Sequence, residues 1–393
     1  MAGAVTVRMY NIGFGDAFLL SVPVAGGIWR MLVDCGVHSQ GRSEHDIDDV
    51  VADIIATAAD PTGRARLDVV VGTHRHRDHV LGFEDDRWAE VEVGEVWLPW
   101  VEDPADIEAT SLREVHDAAA FALHQSFAAA DSAKAELALN SLTNERAMWT
   151  LRHGFAGTPT RRYVDADLEL THDVSGLPGA GVRFLGPPRD EASIRAMNPP
   201  KQQRWFGPPG VAVDDGGAVF PPEFVIDPAT HAALYPHLAL PRTLAARLVQ
   251  EEDDAFAATT WLDRSVNNTS VIFLLQVGSA RLLFPGDAQW GAWRGLLETP
   301  AIRALLSQVN MYKISHHGSH NGTPTELARE VLSGSVTSLL SVRSIPRWSE
   351  VPKGELVDEL AEPGRLVLRS AEPAPQPTRQ HPAGLWVEHD VAI

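Results

Sequence analysis

The run VVVGTHRHRDH at residues 69–79 constrains this chain more than any other stretch. Its first part is apolar, β-branched and without alternation, the pattern of a strand covered on both faces. It ends in His74, His76, Asp78 and His79, four ligand-type side chains within six residues. Residues two apart at a strand end point the same way, so His74 and His76 can converge on one cation. A tight turn would carry Asp78 and His79 to a second position roughly 3.5–4 Å away, the separation that two-metal hydrolases use. A solvated polar turn accounts for a lone histidine. It does not account for this density of imidazole and carboxylate at one strand end.

Around that stretch, strand and helix signals alternate. AVTVRMYNI, AFLLSV and WRMLVDCG are short β-prone runs joined by glycine- or proline-containing turns. HDIDDVVADIIATAAD places apolar residues at 47, 50, 51, 54 and 55, a helical stripe. EVEVGEVWLPW, DLELTHDV and GVRFLGPP read as strands, and TSVIFLLQVGSARLLFPGD as a hairpin. A helix from about Trp290 to Ser307 and the short strand NMYKISHHG follow. Residues 104–153 are rich in Ala, Leu and Glu and predict a helical insertion. Residues 187–262 are rich in Pro and Gly early and helical late, and predict a second insertion that forms a lid. With no repeat and no clear linker, the expectation is one α/β domain over residues 1–393 carrying both insertions.

Charge and composition bound the partners. Fifty-two acidic residues against 33 basic ones give a formal charge of −19, which disfavours strong binding to duplex nucleic acid. The single cysteine, Cys35, excludes an intramolecular disulfide framework, and it reads as a packed side chain without a partner base. The opening residues lack a basic region followed by a long apolar core, and nowhere do 18 apolar residues run uninterrupted. The expectation is a soluble, cytoplasmic protein with no membrane partner. Nothing in the sequence points to a particular protein partner.

The His-x-His-x-Asp-His stretch resembles the metal signature of the metallo-β-lactamase superfamily, and other segments support this in the right order. MLVDCG resembles the upstream Asp-x-Gly strand end, which implies that Asp34 steadies the metal loop. LLFPGDAQWG resembles the Gly-Asp motif, which implies that Asp287 bridges two metals. YKISHHGSHNG resembles the late histidine motif, which implies His316 as a ligand with His317 behind it or facing substrate. NIGFGDAFLL, NNTSVIFLL with Asn267 and Ser270, and VPKGELVDEL resemble the ComEC-type branch, named for a hydrolase-like domain attached to bacterial DNA-uptake channels. The resemblance spans nearly the whole chain except the two insertions, and implies a four-layer αββα sandwich. One departure is that many members supply a third histidine to the first metal from mid-chain. Here no clean motif appears, and His153 and His172 are the candidates, with water as the alternative.

The chemistry follows from the ligand types. A divalent cation lowers the pKa of bound water enough to give hydroxide at neutral pH. Asp78 would ligate the second metal and orient that hydroxide, and Asp287 would neutralise charge between the ions. Imidazole and carboxylate suit zinc best, with manganese or iron also compatible. Lys313 would stabilise developing negative charge or be a solvated strand residue, and His320 would line the pocket. Asn267 and Ser270 would orient substrate or terminate a turn, and Asp16 would hold the loop beneath the metals. His116 and His124, in the Ala-rich segment, read as surface or packing residues.

The leading expectation is a phosphodiesterase or other phosphoesterase acting on a small or single-stranded nucleotide-type substrate. A lactone, amide (β-lactam-like) or thioester hydrolase is the first alternative. An iron-dependent oxidoreductase and a non-catalytic metal-binding protein are further ones. A purely structural zinc site needs four closed ligands rather than two adjoining open positions, which argues against the last.

Overall fold

The computed structural model describes residues 3–38, 41, 44–110, 112–113, 144–205, 266–343, 349–375 and 378–393. Two sheets form its centre. The first has strand order β14-β15-β1-β2-β3-β4-β5-β6. Its members are β1 (Ala4–Tyr10), β2 (Ala17–Val24), β3 (Gly27–Cys35), β4 (Arg66–Val71), β5 (Glu92–Pro99), β6 (Thr160–Val164), β14 (Arg379–Gln380) and β15 (Trp386–Ala392). The second has order β13-β12-β11-β10-β9-β8-β7. It comprises β7 (His172–Asp173), β8 (Ala180–Gly186), β9 (Ile272–Val277), β10 (Ala280–Phe284), β11 (Met311–Lys313), β12 (Thr337–Leu340) and β13 (Leu366–Arg369). In each sheet an antiparallel half passes into a parallel half, at β3 and at β10.

Side-chain alternation builds the layers. Met31, Val33, Val69 and Val71 pack between the sheets with Phe184, Phe273, Leu282 and Phe284. Leu32 and Val70, one residue out of phase, face the other way onto Val50, Val51 and Ile54 of α1 (Ile47–Ala58). The uninterrupted apolar run of β4 is thus covered on both faces. On the far side of the second sheet, Leu274, Leu283 and Leu340 meet Trp293, Leu296, Ile302, Leu306 and Leu356 from helices. The result is a four-layer αββα sandwich, the fold class that the sequence motifs imply.

Two elements differ from the sequence reading. The helix expected over Trp290 to Ser307 is two helices, Trp290–Glu298 and Pro300–Leu306. Thr299 is extended (φ −93°, ψ 107°) because the residue before a proline is driven out of the α region. Within DLELTHDV only His172–Asp173 pair as a strand. Most of residues 104–153, including His116 and His124, and most of the lid segment 187–262 lie outside the described residues. Among the described residues no helix is long and apolar enough to cross a membrane.

Candidate metal centre

The site lies where strands of both sheets reach their carboxyl ends. From the first sheet, β3 supplies Asp34, whose Oδ1 accepts from Thr73 N (2.8 Å) and whose Oδ2 accepts from Thr73 Oγ1 (2.7 Å). That clamp fixes the end of β4, from which His74 and His76 project before the short helix Arg77–Val80 carries Asp78 and His79 inward. A side chain at Gly36 would place its Cβ 2.5 Å from His79 N, so only glycine lets this helix pack so close. From the second sheet, the turn after β10 supplies Asp287 and the turn after β11 supplies His316 and His317.

Gly286 precedes Asp287 with φ +56°, and a Cβ there would lie 2.8 Å from Ser270 Cβ and 3.0 Å from Thr73 Cβ. Gly286→Ala is therefore expected to cost about 1–3 kcal/mol and to shift Asp287. Urea denaturation reads the first effect and metal affinity the second; an unaltered pair of values would contradict the crowding.

Asp34, His316 and His317 are the non-glycine residues with positive φ (56°, 48° and 51°) among those described, and all belong to this site. Such conformations persist only where surrounding contacts over-determine them, and they concentrate at functional sites.

Three imidazoles share one arrangement. His79 Nδ1 lies 2.8 Å from Asp34 Oδ2, so it is the donor, and its Nε2 faces Asp287 Oδ2 at 3.2 Å. His317 Nδ1 donates to Ser341 O at 3.1 Å, and its Nε2 faces Asp78 Oδ2 at 3.2 Å and Asp287 Oδ2 at 3.3 Å. His74 Nδ1 sits 3.1 Å from Thr73 Oγ1, whose proton goes to Asp34, so the imidazole donates there too. Its Nε2 lies 3.1 Å from His76 Nδ1. Anchoring Nδ1–H on a protein acceptor while Nε2 points inward is how ligating histidines are oriented. Asp78, His79, Asp287 and His317 each bring one ligand-type atom within 4.8 Å of the others, all buried.

The electrostatics are those of a cation site. Asp16, Asp34, Asp78 and Asp287 are four buried carboxylates, and Lys313 is the one buried ammonium among them. Its Nζ contacts Gly286 O (2.9 Å), Asp287 Oδ1 (3.1 Å) and Asp16. Burial would lower His317 and His79, but Asp287 above all holds both up, His317 at about 10. Burial, with His79 and His76 close by, pushes His74 well down. Burial would raise Asp78 and Asp287, yet the hydrogen bond from His317 and the charge of His79, respectively the leading opposing causes, keep both low. A Nε2 facing a carboxylate at 3.2 Å needs a positive species between them. A proton meets that need, and so does a metal ion; the donor set of imidazole nitrogen and carboxylate oxygen fits zinc-type ions.

Other residues singled out in the sequence fall around this core. In the late motif, His317 Nε2 faces the carboxylates, and His316 Nε2 lies 3.4 Å from Asn267 Nδ2. Two left-handed residues in a row turn the neighbouring rings in different directions, which a His-His pair in the sequence cannot show. Ser270 is fully buried; its Oγ accepts from Asp287 N (3.1 Å) and touches His74 Nδ1 (3.3 Å), so it ties together side-chain positions from both sheets. Lys313 is not a solvated strand residue. His153 is exposed beside Trp149, and His172 sits on the edge strand β7, 3.4 Å from Asp167; neither reaches the cluster. His320 is half-buried and outside the four-residue group. Cys35 is buried against Gly82, and burial pushes its thiol up.

Sequence reasoning missed a second layer. Arg75, between His74 and His76, gives Glu102 Oε1 and Oε2 a two-pronged pair at 2.8 and 3.0 Å. Arg152 joins the same carboxylate, and Asn144 Nδ2 donates to Arg75 O at 2.6 Å. Thr73 and Ser341 likewise escaped notice. Only Thr73 carries a signal, its place directly before the histidines.

No family model and no curated protein matches the chain. Among solved structures, the crystal structure of zinc-bound PqqB from Methylobacterium extorquens aligns over 90% of this chain and 85% of its own, with 11% identity and a TM-score of 0.37. At that level of likeness the reading of the site rests on its own geometry. The chain is an αββα sandwich whose two sheets bring a buried histidine and aspartate cluster together at their carboxyl ends.

Proposed function

We propose that this chain is a metal-dependent hydrolase with two divalent cations, zinc by donor type, acting on a small or single-stranded nucleotide-type phosphoester. One observation carries the reading: imidazole Nε2 atoms of His79 and His317, each fixed through Nδ1, converge on the carboxylates of Asp78 and Asp287. Four buried carboxylates against one ammonium suit two divalent ions better than one. When bound, such ions supply Lewis acidity and a hydroxide at neutral pH. Asp78 and His76 are the most solvent-accessible members of the ligand group, at 8% and 5%, and so define the side from which substrate approaches. Lys313 holds Asp287 from beneath and neutralises part of its charge. The acidic chain and the ComEC-type likeness of its motifs together favour a short phosphodiester over long duplex DNA.

The test sets a chromogenic phosphodiester against a lactone and a β-lactam, each with added zinc or manganese. Turnover of the phosphodiester that a chelator removes is the expected result. Inactivity on every phosphoester overturns the proposal, and turnover of the lactone or β-lactam instead would assign acyl chemistry to the same site.

A further inference from the structure

His316 is half-buried, whereas His74, His76, His79 and His317 are buried. Its Nδ1 lies 2.7 Å from Ser319 Oγ and 3.0 Å from Asn321 Oδ1. Ser319 Oγ gives its only proton to Asn321 Oδ1 at 2.6 Å, so the ring must be the donor in its own contact with Ser319. His316 therefore carries hydrogen on Nδ1 and presents a lone pair at Nε2. That lone pair meets Asn267 Nδ2 only at 3.4 Å, a long contact. Asn267 is 3% exposed, and its Oδ1 is buried with no donor among the described residues. Buried amide oxygens are rarely left so.

We propose that Asn267 and His316 form a recognition pair beside the metal centre for a vicinal diol of the ribose type. One hydroxyl donates to His316 Nε2 and accepts from Asn267 Nδ2; its neighbour donates to Asn267 Oδ1. A diol matches because each hydroxyl gives one hydrogen and accepts another, whereas an ammonium group offers nothing to Asn267 Nδ2. Ser319 and Asn321 are positioning residues that set the ring. The inference depends on the phosphoester reading only for placing the diol next to a phosphate.

The test is calorimetric binding of adenosine 5′-monophosphate and its 2′,3′-dideoxy analogue to the metal-loaded protein, alongside hydrolysis of a chromogenic phosphodiester. The ribonucleotide is expected to bind about tenfold or more tightly than the analogue, since a site built for hydroxyls rejects ligands lacking them. Asn267→Ala should bring that ratio towards one. Asn321→Leu, which releases the ring, should lower it, while Asn321→Asp, which keeps an acceptor for Nδ1, should retain it. Equal affinities in the wild type, no binding of the ribonucleotide, or an unchanged ratio in folded Asn267→Ala each overturn the inference. Discrimination without phosphodiester turnover supports the recognition pair and removes the phosphoester reading. Turnover without discrimination does the reverse.

Discussion

Asp287→Ala is expected to abolish hydrolysis while leaving the sandwich folded. The Asp287 carboxylate stands within 3.3 Å of His79 Nε2, His317 Nε2 and Lys313 Nζ, so it is the anion on which both sheets converge. On the proposed reading, its removal would take away a ligand shared by two cations and leave the Lys313 ammonium without its partner carboxylate. Metal ions contribute several kcal/mol of charge stabilisation in the transition state, so the loss in kcat/KM should be roughly a thousandfold or more. Metal content should fall below two ions per chain, read by elemental analysis. Circular dichroism and thermal melting serve as controls, because Asp287 lies at a turn and Phe284 and Leu283 before it keep their apolar contacts. A variant with wild-type turnover would remove Asp287 from the chemistry altogether.

Glu102→Gln is expected to give the largest loss of stability away from the ligands themselves. Glu102 is 2% exposed and is held by Arg75 and Arg152. Burial would raise its carboxyl, but Arg75 first and Arg152 second bring it down from 4.5 to about 2. A depressed carboxylate contributes stability in full above its unfolded value. That contribution is lost as pH falls from about 4.5 through 2. A shift of that size corresponds to roughly 3 kcal/mol, and breaking a buried pair from one side costs about 3–5 kcal/mol because the remaining charge is stranded. Denaturant midpoints at neutral pH should therefore drop in the variant. The Glu102-dependent part of the acid destabilisation between pH 4.5 and 2 should also disappear. Because Arg75 sits between His74 and His76, weaker metal binding should accompany the loss. A midpoint equal to wild type would show that the three charges are dispensable.

The parts of the molecule that were legible in the sequence are those written locally. Val69, Val70 and Val71, the second half of β4, are apolar and buried without alternation, so coverage on both faces could be read. The stripe in HDIDDVVADIIATAAD became α1 because Val50, Val51 and Ile54 fall on one face. Pro300 was visible in the chain, but apolar periodicity on both sides of it masked the break. What local reading could not supply is tertiary. Ser341 holds His317 from 24 residues away, Glu102 holds Arg75 from 27, and Ser270 meets His74 from 196. Nor could it rank His316 against His317. Their orientations follow from backbone angles that L-residues seldom adopt, and sequence patterns weigh such angles least where two identical residues stand side by side.

The pairing of β15 with β1 sets Ala4 opposite Ala392. Contacts between such distant residues form slowly, because a very long loop must close before they bring any gain. His74 to His79 hang from one sheet and Asp287 with His317 from the other, so a nascent chain carries two incomplete hemispheres of ligands. A cation held by both would then report finished assembly, since the full set of ligand-type side chains exists only after the hemispheres have met.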